Sequence, residues 1–276
     1  MKKTFKWMFA AILICGLTFS SCRKDPQTPD PEPTTRTVLA GMTAIGVSVY
    51  DSVTYSYEYD NQYRIVRSKA VHTPSGNVLQ DLQFTYTDGH ITVASPAKDE
   101  LQTYECTLDS QGRITHMDET TVLSDTSTMI RHYDFTYDAE GRMVSSFEIT
   151  EDVSSNGLTQ NYVWEGEEIR SISASEDAMV LDFETSDAPA QAMFNVIGYD
   201  SSLSELCTQG CFGKLPAHMP SKRTMTITLP LPGMPPYVYT NNYTYTLNAE
   251  GRLATIKDTN DSSNETATYT LIWEER

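Results

Sequence analysis

The stretch FTYDAEGRM at residues 135–143 decides the fold, because its pattern recurs along the chain. Residues 106–114 read CTLDSQGRI, and residues 245–253 read YTLNAEGRL. Apolar and polar residues first alternate, and a period of two is typical of a strand with one buried and one exposed face. An Asp or Asn, two polar residues, glycine, arginine and an apolar residue then follow. We therefore expect each copy to form one β-hairpin.

Six turn positions have a structural role in this pattern. The Asp or Asn opens the turn, because its side chain can accept hydrogen bonds from nearby backbone N–H groups. The glycine three positions later suits a type I turn that ends in a left-handed residue, where a Cβ would be strained. These positions are Asp109, Gly112, Asp138, Gly141, Asn248 and Gly251. We expect the arginine after each glycine to pair with acids at the hairpin ends rather than to bind a ligand.

The spacing of the copies predicts the architecture. Looser copies of the pattern start at residues 57, 84 and 162. Turns about every 25 residues predict strands of about ten residues, and about fourteen to sixteen strands in total. A sheet of that length has to curl, split or close. We therefore predict an all-β fold, an antiparallel up-and-down meander of hairpins curled into a barrel-like sheet.

The hairpin rhythm breaks between residues 187 and 236. Apolar residues within the first part of this interval suit one or two short amphipathic helices, and a Gly- and Pro-rich turn follows at residues 210–220. We expect a short helical insert around residues 188–206 that seals the core. The alternative is that this insert shapes a ligand site, because loops on a rigid scaffold often carry function.

The N-terminus has the organisation of a bacterial lipoprotein signal. Three lysines within the first six residues precede an apolar stretch, WMFAAILICGL at residues 7–17, that is too short to span a membrane. Ser20 and Ser21 before Cys22 are small, as in the lipobox, where the cysteine becomes diacylated. The Pro- and Thr-rich residues that follow have almost no apolar side chains, which favours an extended tether.

These features predict three regions: a signal peptide at residues 1–21, a lipidated Cys22 with a flexible tether at residues 22–37, and a single β-meander domain at residues 38–276. The lipid would hold the domain at the outer membrane as a peripheral protein, on the cell surface or on the periplasmic face. Strands of about ten alternating residues also fit a membrane-spanning barrel. A lipid anchor ahead of a tether would be redundant there.

The composition excludes one class of partner. The formal net charge is −17 at pH 7, and a surface this acidic repels nucleic acid. We therefore expect no nucleic-acid partner, and we expect a monomer that contacts the membrane through its N-terminal lipid.

The chemistry-bearing residues form no recognisable catalytic motif. The sequence has no nucleophile elbow, no zinc-protease motif and no phosphate-binding glycine loop. The five histidines are scattered, and His116 and His132 lie in strand patterns where a surface or core role is expected. Cys207 and Cys211 lie four residues apart and could form a local disulfide. We expect no metal, no cofactor and no catalytic residue.

Two resemblances follow from these motifs. The phrase YDAEGR at residues 137–142 resembles the turn of YD or RHS-type repeats, whose second half is missing here. The lipobox, the tether, the repeated hairpins and the late FGKLP at residues 212–216 together resemble a family of Bacteroidetes lipoprotein domains of unknown function. The resemblance implies a porin-like β fold. It supplies no catalytic residues and leaves the function open.

Our leading functional expectation is non-catalytic binding of a glycan or another extracellular ligand, because the many tyrosines offer stacking platforms. The alternative is a structural or assembly partner at the outer membrane. A glycoside or ester hydrolase comes third. Fold alone cannot choose among them.

Overall fold

The computed structural model describes residues 35–47, 50–95, 101–124, 127–151, 157–174, 178–191, 203–228 and 233–276. Within these residues the chain forms sixteen strands and one short helix. The strands are β1 (Thr37–Val47), β2 (Tyr50–Tyr59), β3 (Ile65–His72), β4 (Val78–Thr87), β5 (His90–Ser95), β6 (Leu101–Leu108), β7 (Ile114–Ser124), β8 (Ser127–Tyr137), β9 (Met143–Thr150), β10 (Leu158–Glu165), β11 (Glu168–Ala174), β12 (Met179–Pro189), β13 (His218–Ile227), β14 (Tyr237–Leu247), β15 (Leu253–Asn260) and β16 (Thr266–Glu275). The helix α1 (Ser204–Thr208) lies between β12 and β13.

The sixteen strands form one closed antiparallel barrel in which consecutive strands pair. β1 closes the ring by pairing with β16, from Thr37 opposite Glu275 to Ile45 opposite Thr268. Closure leaves neither of these two strands with an open edge. The predicted all-β, up-and-down meander is confirmed, and its sheet closes fully.

The two ends of the barrel differ. At one end, called the turn end below, tight turns join β2 to β3, β4 to β5, β6 to β7, β8 to β9, β10 to β11 and β14 to β15. The connection that carries α1 also lies at the turn end, as do the start of β1 and the end of β16. The other connections lie at the opposite end, called the loop end. The turn end therefore gathers the repeated hairpin tips and the insert.

Asp109 opens the turn between β6 and β7 by organising the backbone around it. Its Oδ1 accepts hydrogen bonds from the backbone N–H groups of Gln111 (2.8 Å) and Arg113 (2.9 Å), and Gly112 has a φ of +79°. The turns after β8 and β14 repeat this arrangement, with the pairs Asp138 and Gly141, and Asn248 and Gly251. The repeated sequence pattern therefore produces one repeated turn geometry.

Aromatic side chains tie neighbouring strands together at the turn end. The Tyr137 hydroxyl, at the end of β8, donates a hydrogen bond to the carbonyl oxygen of Ile114 at the start of β7 (2.6 Å). Trp164 on β10 donates through Nε1–H to the carbonyl oxygen of Met143 on β9 (2.8 Å). Six such bonds, called the aromatic ladder below, occur among the described residues. Their donors are Tyr59, Tyr86, Tyr137, Trp164, Tyr245 and Trp273.

The barrel wall is apolar inside and mostly polar outside. On β4, Leu82 and Phe84 are buried, whereas Gln83 and Thr85 between and after them are exposed. The same alternation holds on β12, where the buried residues alternate with exposed acids. The buried side chains of all these strands join one core. The core therefore lies in the interior of the barrel.

The segment after β12 packs inside the barrel at the turn end. Leu203, Leu206 and Phe212 are buried in the core, and the Phe212 ring lies edge-on to Phe135 of β8, with 5.2 Å between centroids. Backbone bonds fix the segment to the hairpin tips, because Ile114 N–H donates to the Cys211 carbonyl oxygen (2.7 Å). The described residues 203–217 thus act as a plug, and this name is used below.

The predicted short helical insert is confirmed as one short helix, which lies at the end of the interval around residues 188–206. Residues 188 and 189 belong to β12, because pairing with β13 continues to Pro189 opposite His218. Residues 192–202 lie outside the described part of the chain. The helix that does form is α1, whose buried residues include Leu206 and Cys207. Its five residues make little more than one helical turn, and packing inside the barrel sets their position. An amphipathic pattern over residues 188–206 does not locate such a short helix.

The local disulfide considered for Cys207 and Cys211 is not formed in the structure. Both are buried free thiols in the plug, and Cys106 on β6 is a third. A tight backbone turn separates the pair, with Cys211 N–H donating to the Leu206 carbonyl oxygen (3.0 Å). Burial raises the pKa of Cys211 to about 11, so it remains a protonated, apolar-packed thiol at neutral pH. Cys22, predicted as the lipidation site, lies outside the described residues.

Candidate ligand-binding pocket

A pocket of about 520 Å³ opens at the turn end, beside the seam where β1 meets β16. Three arginines and three aromatic residues line it: Arg36, Arg64, Arg252, Tyr59, Tyr63 and Trp273. The size is within the range of small-molecule sites, roughly 300–1,000 Å³. A cluster of cationic side chains is unusual in a chain with a net charge of −17. The pocket is therefore the first place to look for a ligand of opposite charge.

Most turn arginines are neutralised by the Asp of their own turn. Arg113 is bonded to Asp109, with 2.7 Å from Nε to Oδ2, and Arg142 to Asp138 at the same distance. Arg64 pairs with Asp60 in the turn after β2, at 2.8 Å. Burial works in the opposite direction, but the hydrogen bonds from these arginines lower the pKa of each aspartate. The expectation that the arginines pair with acids therefore holds for Arg113 and Arg142. Arg64 pairs in the same way although no glycine precedes it. For Arg252 the expectation is wrong, as the Asn248 turn shows below.

The paired arginines also cover the rings of the aromatic ladder. The guanidinium of Arg64 lies 4.4 Å from the ring centroid of Tyr86, and that of Arg113 lies 4.6 Å from the centroid of Tyr137. Arg142 lies 5.6 Å from the Trp164 ring. Such cation–π contacts contribute about 0.5–1 kcal/mol at exposed sites. Each of these arginines is therefore engaged twice within the protein.

Arg252 differs because Asn248 takes the place of the aspartate. Asn248 still accepts the backbone bonds of the turn, from Glu250 (3.1 Å) and Arg252 (2.9 Å). Its amide carries no charge, however, and within the described residues the Arg252 guanidinium has no carboxylate partner and no ring contact. Arg252 is partly buried at the pocket wall. It is thus a cation that the turn positions but does not neutralise.

Arg36 supplies a second cation to the pocket. Its guanidinium lies 5.7 Å from the ring centroid of Tyr63 and, among the described residues, it has no carboxylate partner. Tyr63 occupies the left-handed turn position (φ +61°) that glycine takes in the other turns, which brings an aromatic ring to the pocket rim. Its hydroxyl also donates to the carbonyl oxygen of Arg276 (3.2 Å). In the turn between β2 and β3, a non-glycine residue therefore adopts the left-handed conformation, which is sterically less favourable, and places an aromatic ring at the pocket.

Two ladder rings and two amides complete the wall. Tyr59 and Trp273 are held by their bonds to the carbonyl oxygens of Leu39 (2.7 Å) and Leu253 (2.7 Å). Burial raises the pKa of Tyr59 to about 12 although Arg276 and Arg36 act against the shift, so its hydroxyl stays a donor. Gln191 and Gln209 line the pocket from the insert. Rigid rings, amides and cations together match the groups that bind oxygen-rich anions.

A second, smaller cavity lies inside the barrel next to the plug. It measures about 250 Å³ and is lined by Tyr133, Phe135, Glu148 and Tyr162 of the wall and by Phe212 of the plug. Close by, the buried carboxylate of Glu119 pairs with Arg131 (3.2 Å) and accepts a bond from the Tyr133 hydroxyl (2.8 Å). These groups are already satisfied by one another, so this cavity offers less free polar chemistry than the turn-end pocket.

The sequence positions fall into clear places. The six predicted turn residues all lie in tips at the turn end. Of the three turns that they form, the Asn248 turn is the one whose arginine lines the pocket. The pocket residues Arg36, Tyr63 and Arg252 were not predicted as a site. The available signal was the single Asn in place of Asp in an otherwise repeated turn.

Among the described residues, much of the outer wall is polar. Outward residues of β12 and β14 include Asp182, Glu184 and Thr244, all exposed. Exposed apolar residues interrupt this polar surface, singly at Val163 and Ile272 and as a run at residues 237–239 of β14. A membrane barrel presents an apolar belt about 25 Å tall. Among the described residues, no helix is long and apolar enough to cross a membrane.

Comparisons with known proteins support the fold. A porin-like protein from Bacteroides uniformis superposes with a TM-score of 0.60 at 15% identity, covering 86% of this chain and 98% of its own. A porin-like protein from Bacteroides vulgatus gives 0.62 at 13% identity, covering 87% and 99%. No protein-family model and no curated protein matches the sequence. The chain thus has a porin-like sixteen-stranded barrel fold, as the resemblance implied, and its lipoprotein features stay predictions.

Proposed function

We propose that this chain is a non-catalytic, lipid-anchored binding module of the bacterial envelope, whose turn-end pocket takes a small anionic ligand such as an acidic sugar. The observation that carries the proposal is the pair of arginines, Arg36 and Arg252, that face the pocket without a carboxylate partner among the described residues. An anion would neutralise them, and bidentate pairing with a carboxylate is among the strong hydrogen-bonded interactions of a guanidinium.

The sugar part of the proposal rests on the aromatic and amide lining. Sugar rings have apolar faces that pack on rings such as Trp273 and Tyr59, and hydroxyl groups that pair with amides such as Gln191. A carboxylated sugar combines these groups with a charge. A neutral sugar would leave the two guanidinium groups without partners.

The envelope part of the proposal rests on the N-terminal sequence and the polar outer wall. The positive and apolar segments before Cys22 fit export with lipid attachment. Exposed acids and threonines on the wall favour a barrel surrounded by water rather than by lipid. The likeness to porin-like proteins is consistent with an envelope location.

Isothermal titration of the protein with D-galacturonate and with D-galactose tests the function. We expect saturable binding of the acid, and at least tenfold weaker binding of the neutral sugar, because a hydrogen bond to a charged group contributes about 1.5–3 kcal/mol. Arg252→Ala should weaken galacturonate binding by a similar factor. Arg113→Ala is the matched control, since Arg113 occupies the same place in a turn outside the pocket. Equal binding of both sugars, or full binding by the Arg252 variant, would overturn the proposal.

A further inference from the structure

A cluster of histidines and acids lies on the outer wall, away from the turn-end pocket. His116 and Asp118 project from β7, and His132 projects from the adjacent β8. The register places His116 opposite Asp134 and Asp118 opposite His132, so all four share the outward face. Their side chains are about one third to two thirds exposed. The cluster is therefore accessible from solvent.

Three donor atoms of this cluster converge. His116 Nε2 lies 3.0 Å from Asp118 Oδ1, and His132 Nδ1 lies 2.5 Å from the same oxygen. The two imidazole rings are stacked, with 6.3 Å between centroids and 22° between planes. One atom from each residue, His116, Asp118 and His132, falls within 4.8 Å of the other two. Two imidazoles and one carboxylate that surround one side of the ion are a common donor set for divalent transition metals.

A second carboxylate holds the far nitrogen of each ring. His116 Nδ1 lies 2.7 Å from Asp134 Oδ1, and His132 Nε2 lies 3.0 Å from Glu151 Oε1. In metal sites the imidazole that binds the ion usually donates its other N–H to a carboxylate or carbonyl, which fixes the tautomer and the ring orientation. Both histidines of this cluster have that support. Two surface histidines without a binding role would not require a second carboxylate on each ring.

We propose that His116, Asp118 and His132 form a binding site for one divalent transition-metal ion of the zinc class, with Asp134 and Glu151 positioning the two imidazoles. Zinc–nitrogen and zinc–oxygen distances of about 2.0–2.2 Å put tetrahedral ligands about 3.3 Å apart. The three donor atoms reach that spacing through small side-chain rotations, which their exposure allows. The fourth position is left to water or to an outside ligand.

Protons compete with the metal for this site. Hydrogen bonds to Asp134, then to Asp118, raise the pKa of His116, although burial opposes the shift. Bonds to Asp118 and Glu151 raise the pKa of His132. Glu105 of β6, opposite Asp118, is the further charged group that borders the cluster. Because a metal binds neutral imidazole, its binding competes with protonation, and its affinity should fall in acid.

Titration of the untagged protein with Zn²⁺, followed by calorimetry, tests the site. We expect one strong zinc site per chain at about pH 7.5, and weaker binding at about pH 6. His132→Ala and Asp118→Asn should each weaken this binding at least tenfold, and Asp134→Asn should weaken it less. Co²⁺ in place of Zn²⁺ should give visible absorption bands in the native protein that the His132 variant lacks.

His218→Ala is the matched control, because His218 is an exposed histidine with a single carboxylate partner, Glu168, at 2.8 Å. It should bind zinc as the native protein does. Circular dichroism of each variant checks that the barrel is folded. Absence of a strong zinc site in the native protein, or native affinity in both the His132 and Asp118 variants, would overturn the proposal. Neither result bears on the turn-end pocket, which shares no residue with this cluster.

Discussion

At the residue scale, Asn248 differs from the aspartates of the sister turns only in replacing one carboxylate oxygen by an amide nitrogen. The backbone bonds of its turn are the same, with Oδ1 accepting from the N–H of Arg252 at 2.9 Å. What changes is charge: Asp138 neutralises Arg142, whereas Asn248 leaves Arg252 unneutralised. One residue thus keeps the hairpin while changing the electrostatics of the pocket beside it.

The first prediction follows from that difference. Asn248→Asp should pair with Arg252 as Asp138 pairs with Arg142, and should weaken galacturonate binding at least tenfold while preserving or slightly raising the melting temperature. Calorimetry and thermal unfolding measure the two effects. The reverse change in a turn outside the pocket, Asp138→Asn, should leave binding unaltered. Native binding by the Asn248 variant would argue against a role for the Arg252 charge.

Glu205 on α1 is an acid with almost no solvent around it. Its side chain is 6% exposed, and its Oε1 accepts a hydrogen bond from the Ser68 hydroxyl of β3 (2.6 Å). Burial raises its pKa, although the bond from Ser68 acts in the other direction. Because the folded state favours the protonated acid, the stability that Glu205 contributes is present at low pH and is lost as the pH rises through its folded pKa.

The second prediction is that Glu205→Gln stabilises the protein in alkaline but not in acidic solution. The neutral amide can still accept the Ser68 bond, and it avoids the cost of a buried charge. The free energy of unfolding should exceed that of the native protein at about pH 8, and the difference should shrink toward zero at about pH 4. Denaturant unfolding at both pH values measures it. Glu250→Gln, at an exposed turn position, should change little at either pH; a pH-independent effect of Glu205→Gln would contradict the account.

At the scale of elements, the plug contacts the hairpin tip between β8 and β9 through its backbone. Gly213 has a φ of +83°, and a Cβ built on it would lie 2.4 Å from the carbonyl oxygen of Gly141 and 2.8 Å from the Tyr137 ring. Next to it, the Lys214 N–H donates to that same carbonyl oxygen (2.8 Å). Gly210 has a similar φ of +76° but no atom within 4 Å of a Cβ. A substitution of Gly210 would therefore cause backbone strain alone, whereas a substitution of Gly213 would cause backbone strain and a steric clash.

The third prediction compares these two positions. Gly210→Ala should cost about 1–2 kcal/mol of stability, which is the strain of a left-handed alanine. Gly213→Ala should cost that amount and a further ~1–3 kcal/mol, because the plug has to move away from the β8–β9 tip. Chemical denaturation of both variants gives the difference. Equal losses would mean that the plug does not press against the tip in solution.

Hairpins and turns were predictable because they are local. Alternation within ten residues defines a strand, and an Asp followed by a glycine three positions later defines the tip. The position of α1 was not predictable, since a single helical turn depends on the walls around it. The pocket was not predictable either, because Arg36 and Arg252 meet only when β1 closes on β16. Predicting that His116 and His132 lie close together requires the register of β7 and β8. The composition of the intervening loop does not specify that register.

At the scale of the whole molecule, the polar residues of the outer wall bear on the proposed attachment to a membrane through a lipid. Exposed acids such as Glu184 would be costly against lipid, whereas a fatty-acyl anchor on Cys22 would leave the whole wall in water. Attachment would then depend on one residue at the end of a tether and on none of the sixteen strands.

The fourth prediction is that Cys22→Ser releases the protein from membranes. The native protein should fractionate with membranes and incorporate labelled palmitate, and the variant should do neither and appear in the soluble fraction with its barrel folded. Fractionation of cells, with circular dichroism of the released protein, measures this. Cys106→Ser changes a buried cysteine of the barrel and serves as the control that keeps the anchor. A variant that stays in the membrane despite losing the label would indicate a spanning barrel.

The seam between β1 and β16 also has a consequence for the order of events during biosynthesis. Thr37, near the start of the barrel, finds its partner only at Glu275, so the ring stays open until nearly all of its residues have been made. Until then β1 and the most recently added strand each present unpaired backbone to any neighbouring chain. Such a long-range last step favours slow folding. The hairpins can form as they emerge, but a chaperone that shields the two open edges would be most needed just before the final strand arrives.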